Sequence, residues 1–202
     1  MEELIEGYRK FRAEVWPQER NQYGALARRG QQPKALVIAC SDSRVDPQTV
    51  FGAGPGELYV VRNVAGLVPP YLPDGGHHGV SAALEFAVRV LRVPNIIILG
   101  HAQCGGIKAL VEGAPREARD FLDAWMDIAE PALASTPAGD RMLDILDHYE
   151  EEVVRLSLAN LRTFPWIEQA LVSGRLALHG FRFDICSGVL SRLRDGEFDA
   201  VD

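Results

Sequence analysis

Ala35-Leu36-Val37-Ile38-Ala39-Cys40-Ser41-Asp42-Ser43-Arg44 is the stretch whose reading decides the fold. Its first six residues are apolar without alternation, the pattern of a parallel strand covered on both faces. They deliver a thiol, a carboxylate and a guanidinium where a sheet hands over to a loop. A second run, Ile96-Ile97-Ile98-Leu99-Gly100-His101-Ala102-Gln103-Cys104-Gly105-Gly106, ends in an imidazole and another thiol. In open parallel sheets, ligands collect beyond the carboxyl ends of strands, where strand order reverses. Cys40 and His101 both fall at such ends, so the two segments predict one shared site.

Outward from these runs, Leu58–Asn63 reads as a second strand, and Asp46-Pro47 as the N-cap and first residue of a short helix through Phe51. Ser81–Leu91 carries helical periodicity before the third strand, Ile96–Gly100, and a strand, helix, strand succession implies parallel pairing. Leu67–Gly76, rich in proline, is an irregular loop. Helices are expected to Val111, near Glu117–Ile128, over Asp140–Leu161 and over Phe164–Ser173. Leu176–Ile185 is a late strand, and Val189–Leu193 an edge strand. Upstream, Leu4–Trp16 forms an amphipathic helix that Pro17 stops or kinks, and Gln18–Arg29 a second helix ending at Gly30. The expected architecture is α/β: a central, mostly parallel sheet with flanking helices, an N-terminal helical arm and an antiparallel edge strand. One domain is expected over residues 1–202, with 1–30 as the arm and 31–202 as the core. Two helices before the first strand do not belong to a simple crossover, so they pack outside the sheet or on another subunit.

Lys+Arg 21 against Asp+Glu 28 gives a formal net charge of −7 at pH 7, with no Lys/Arg block. That balance excludes the electrostatic footprint of a nucleic-acid or anionic-membrane binder and favours a small substrate. The acidic start, Met1-Glu2-Glu3-Leu4-Ile5-Glu6, is not a secretory signal, and no apolar run approaches the roughly 20 residues that span a bilayer. A cytoplasmic protein is expected. In a reducing compartment, three cysteines beside His and Asp read as ligands rather than a disulfide framework.

Zinc favours thiolate and imidazole donors in a tetrahedral set, and a catalytic zinc has three protein ligands plus one exchangeable position. Cys40, His101 and Cys104 supply that set. Taken singly, each half has a plainer explanation as a buried cysteine or a surface histidine. Asp42 and Arg44, two apart on extended chain, point the same way, so the guanidinium would keep the carboxylate ionised and oriented to accept a proton; elsewhere such neighbours are ordinary surface ion pairs. Cys186 has no acid or imidazole at ligand spacing and reads as a buried small apolar residue. His78 and His148 read as surface residues and His179 as structural. Ser41 and Ser43 lack the Gly-x-Ser-x-Gly elbow of a hydrolase, and neither stretch is a phosphate loop.

With these residues in place, the chain resembles the β-class carbonic anhydrases, in their plant-like branch. The resemblance rests on Cys40-Ser41-Asp42-Ser43-Arg44 and His101-Ala102-Gln103-Cys104-Gly105-Gly106, with secondary matches at Gly56–Ala65, Ala82–Glu85 and His179–Asp184. It implies Zn2+ on Cys40, His101 and Cys104, an Asp42/Arg44 dyad, and a zinc-bound hydroxide that attacks CO2 to give bicarbonate. Two thiolates leave less positive charge on the metal than three neutral histidines, under which bound water has a pKa of about 7, so activity is expected to favour alkaline pH. Some members let the residue equivalent to Asp42 ligate zinc, supported by a Trp three residues before the first Cys. Here that residue is Val37, and Gln31 matches the branch in which an amide contacts substrate. An open site is therefore expected, at a homodimer interface, with Gln31, Tyr59, Val64, His77, Leu84 and Gly105 as substrate-binding residues. His77, where the branch often has Tyr, would contact substrate or shuttle protons. Carbonyl sulfide and carbon disulfide hydrolases share these ligands, and a non-catalytic zinc scaffold or bicarbonate sensor is the alternative from another class.

Overall fold

The apolar runs become strands in the computed structural model, which describes residues 1–201. Six strands form one sheet in the order β2-β1-β3-β4-β5-β6. These are β1 (Ala35–Cys40), β2 (Leu58–Asn63), β3 (Asn95–His101), β4 (Ala177–Phe183), β5 (Leu190–Arg194) and β6 (Glu197–Ala200). The first four pair in parallel, and β5 and β6 add on antiparallel. β6 was not anticipated, and it rather than β5 is the sheet edge. Its single half-buried apolar residue, Phe198, gives almost no alternation to read.

All six residues of β1 are buried, as the unbroken apolar run requires. Alternate residues face opposite layers. Leu36 and Ile38 join Ile96, Ile98 and Leu84 on one face, while Val37 and Ala39 pack with Leu99, Phe51 and Phe181 on the other. Full burial of each of these large aliphatic side chains contributes about 1.5–3 kcal/mol.

The helices are α1 (Glu2–Lys10), α2 (Trp16–Arg29), α3 (Pro47–Val50), α4 (Gly79–Glu85), α5 (Gly105–Glu112), α6 (Leu122–Met126), α7 (Met142–Arg162) and α8 (Pro165–Val172). Asp46 caps α3 as expected, its side chain accepting from the Thr49 N–H at 2.9 Å. Pro17 does not stop the arm. A π-helical turn over Phe11–Val15 precedes it, and Pro17 sits in the first turn of α2, where a missing N–H costs nothing. The helix expected over Ser81–Leu91 is likewise divided into α4 and a π turn, Phe86–Val90. The segment expected as helix near Glu117–Ile128 is broken into 3₁₀ turns around α6, with Pro131 inside the last of them. Among the described residues, no helix is long and apolar enough to cross a membrane.

The chain leaves β1 outward to β2, then returns to place β3 on the other flank of β1. The reversal lies between β1 and β3, where Ala39 pairs with Leu99. Cys40 and His101 therefore emerge side by side at the switch point. Behind them, α7 crosses β3 and β4 over two glycines. A Cβ at Gly100 would stand 2.7 Å from Val154 Cγ2, and one at Gly180 would stand 2.9 Å from Val154 Cγ1. Gly100→Ala is expected to lower the denaturant midpoint by the equivalent of about 1–3 kcal/mol, the cost of forcing a β-branched neighbour aside. An unchanged midpoint in equilibrium unfolding would show that α7 does not bear on the strand this closely.

Candidate metal centre

Cys40 is the last residue of β1 and His101 the last of β3, while Cys104 is the N-cap of α5. Gln103, in the left-handed region with φ 56, makes the sharp turn that brings Cys104 back beside His101. Their donor atoms lie within 4.8 Å of one another, and all three residues are buried. The two Sγ atoms are 3.9 Å apart. His101 Nδ1 donates to the Ala102 carbonyl at 2.9 Å, which fixes the ring and turns Nε2 inward. Among the described residues, Nε2 is the buried side-chain polar atom without a hydrogen-bond partner.

An unmet acceptor beside two thiols is costly unless something electropositive stands between them. The electrostatics agree. The Cys104 thiol donates to Cys40 and holds it down to about 4, against the opposing effect of burial, while the same contact pushes Cys104 up. One proton is thus shared where a divalent cation would displace it. Burial disfavours charge on His101, but the Cys40 thiolate, the Ala102 carbonyl and Asp42 outweigh it and raise the imidazole. The donor set fits zinc.

Asp42 is held by Arg44 on both oxygens, with Nε to Oδ1 at 2.9 Å and Nη2 to Oδ2 at 2.7 Å. The Arg44 backbone N–H adds a third bond to Oδ1 at 2.9 Å. This grip holds the Asp42 carboxyl well below the usual carboxylate range. Oδ2 lies 3.8 Å from His101 Nε2. Arg44 also donates to the Gln103 carbonyl at 3.0 Å, tying the Cys40 loop to the His101 loop.

Of the residues expected to line a substrate pocket, Val64 and His77 open on a groove of about 850 Å³, walled also by Pro69, Leu72, Phe121 and Trp125. Gly105 is exposed at the start of α5 with open space above it; Gly106 is the close-packed glycine, since a Cβ there would meet Ala65 Cβ at 2.8 Å. Tyr59 is half-buried and stacks on Phe86 at 6.2 Å. Leu84 is 0% exposed and belongs to the core, because its helix face turns toward the sheet, so within this chain it has no surface to offer a substrate. Gln31 is exposed and is not part of the metal cluster.

Two further assignments need correction. Cys186 is exposed rather than buried, because it lies in the turn after β4, where its Sγ accepts from the Gln103 side-chain amide at 3.2 Å. His148 is half-buried and bonds the Ser135 hydroxyl at 2.8 Å. His179 is structural as expected, set between Asn95 and Arg192.

Two charged residues around the site escaped the sequence reading. Arg62 donates to the carbonyls of Cys40 at 2.9 Å and Val45 at 2.7 Å, bracing the loop that carries Asp42. Glu150 accepts the Cys104 backbone N–H at 3.0 Å. Arg62 was visible only inside the matched stretch Gly56–Ala65, and Glu150 was hidden in the acidic run Glu150-Glu151-Glu152.

A family model described as "Carbonic anhydrase" matches residues 35–190. The carbonic anhydrase of Pseudomonas aeruginosa is 41% identical over 195 residues, spanning 96% of this chain and 87% of that protein. The structure of the β-carbonic anhydrase CcaA superposes with a TM-score of 0.91 at 32% identity, over 100% of this chain and 92% of the other. One from a pair of tetrameric β-carbonic anhydrases of Sordaria macrospora gives a TM-score of 0.78 at 28% identity, covering 98% of each chain. With a Cys-His-Cys cluster at the sheet's switch point and these relatives over nearly its whole length, the chain belongs to the β-class carbonic anhydrases.

Proposed function

We propose that the chain hydrates carbon dioxide reversibly to bicarbonate and a proton, with zinc held by Cys40, His101 and Cys104 and the attacking water oriented by Asp42. The observation that carries this reading is the unpaired, buried Nε2 of His101 standing 3.8 Å from an Asp42 oxygen that Arg44 has already fixed. A zinc ion bound there supplies a Lewis acid that makes water far more acidic than in bulk.

The chain's own residues do the rest. Asp42 is ionised across the working pH range, because Arg44 holds its carboxyl low. With Oδ1 taken by the Arg44 Nε and backbone N–H, Oδ2 is the oxygen turned toward the ligand set. Its remaining lone pair accepts a hydrogen bond from the water and directs an oxygen lone pair at the carbon of CO2. Cys40, His101 and Cys104 would hold the ion as three ligands, with Asp42 kept on Arg44 rather than added to the set. Val64, His77 and the apolar walls of the groove suit an uncharged substrate. The proton released must then leave for bulk solvent, and His77, on the wall of the groove, is the side chain assigned to carry it.

The active form is a homo-oligomer built from dimers. α1 has no buried residue, and Leu4 and Tyr8 are 72% and 60% exposed on it. A helix with an apolar stripe and nothing against it is stable only when a second surface covers that stripe. The relatives from Sordaria macrospora, which are tetrameric, support the same reading.

Cys104→Ser is expected to purify without zinc and without activity. Asp42→Asn is expected to keep one zinc per chain and to lose about 10²-fold or more of CO2 hydration, the usual range for a positioned acid–base group. Stopped-flow hydration with metal analysis checks both, and an Asp42→Asn variant of wild-type rate would contradict the proposal. Running carbonyl sulfide alongside tests the substrate, since faster turnover of the sulfide would make the chain a hydrolase. Replacing Leu4 and Tyr8 together by Ser is expected to shift sedimentation toward monomer, and an unchanged profile would mean that α1 is covered by something other than a second copy.

A further inference from the structure

Glu150 is the sole buried carboxylate among the described residues, 2% exposed on α7, and nothing in the reaction just described uses it. Its Oε1 accepts the Cys104 N–H at 3.0 Å. Its Oε2 accepts from Arg182 Nε at 3.1 Å and Nη2 at 2.8 Å, and Arg182 reaches on to Asp147. Arg182 stands on β4 beside Gly100 of β3, so the residue that pins Glu150 lies next to the glycine that lets α7 come down on the sheet. The close approach of α7 therefore delivers a carboxylate to the peptide of one metal ligand. Cys104 opens α5, and an N-terminal amide of a helix has no partner within it. Whatever group binds that amide fixes the plane of the peptide, and with it the direction in which the Cys104 side chain leaves the backbone.

We propose that Glu150, braced by Arg182, is a positioning residue of the metal centre: it aims the Cys104 sulfur at the ion and slows the ion's escape. This rests on the reading that Cys40, His101 and Cys104 hold zinc. The charge pair has a second part, because only a carboxylate presents acceptors to both the Cys104 amide and the guanidinium. In Glu150→Gln the amide oxygen serves one side while the NH2 faces a donor on the other. Adding Arg182→Met removes the competing donor and frees the oxygen for Cys104.

The test is the rate at which zinc-loaded protein surrenders its metal to excess chromophoric chelator, with cobalt-substituted protein as a spectroscopic check. Glu150→Gln is expected to release zinc about 10–100-fold faster, the usual penalty for losing an outer partner of a ligand, and to alter the cobalt–thiolate absorption. Glu150→Gln with Arg182→Met is expected to return to within a few-fold of the wild-type rate. A merely structural pin would change unfolding of the metal-free chain and leave zinc release and the cobalt spectrum alone. Release at the wild-type rate in Glu150→Gln, or no recovery in the double variant, overturns the positioning role. Wild-type protein that binds no zinc overturns the ligand assignment, and the role with it.

Discussion

Two buried thiols 3.9 Å apart, with an inward-facing imidazole nitrogen that no protein group satisfies, form an arrangement the folded chain does not relieve by itself. Each donor would be an expense to bury alone. Together they form a donor set that a single divalent cation would satisfy, and much of the surrounding structure serves to hold them together. Arg62 braces the loop after Cys40, Arg44 ties that loop to the Gln103 carbonyl, and Ala102 fixes the His101 ring. These contacts come from three segments distant in sequence, so the centre is a product of tertiary structure rather than of either motif.

The sheet explains why the segments meet. Reversal of strand order between β1 and β3 leaves the carboxyl ends of two adjacent parallel strands without a covering connection, and Cys40 and His101 occupy those ends. Gly100 and Gly180 then let α7 lie close behind, bringing Glu150 against the Cys104 peptide. The glycines that look like concessions in the strands are what allow a helix to support the site. The Asp42 carboxylate meanwhile is gripped on both oxygens by a guanidinium two residues away, so its charge and orientation are both set locally.

Most of this was legible from residues alone, and for a physical reason. Parallel strands buried on both faces read as unbroken apolar runs, and ligand types with demanding chemistry stand out at their ends. What was hidden lacked such signatures. The strand at Glu197–Ala200 exposes nearly everything, so its pairing is set by backbone hydrogen bonds rather than side-chain pattern. A π turn absorbs Pro17, and nothing in composition separates that outcome from a kink. Glu150 resembles its neighbours Glu151 and Glu152, and only the rotation of α7 decides which of them is buried. The burial of Leu84 and the exposure of Cys186 differ from expectation for the matching reason: whether an apolar or sulfur side chain faces core or solvent depends on helix orientation and turn geometry, which neither motif nor spacing displays.

X-ray absorption at the zinc edge of the purified wild-type protein tests the central claim most directly. The account predicts a shell of two sulfurs at about 2.3 Å and one imidazole nitrogen at about 2.0–2.1 Å, completed by a single light atom that added bromide replaces. A shell without sulfur, or one whose fourth position bromide never enters, would contradict it.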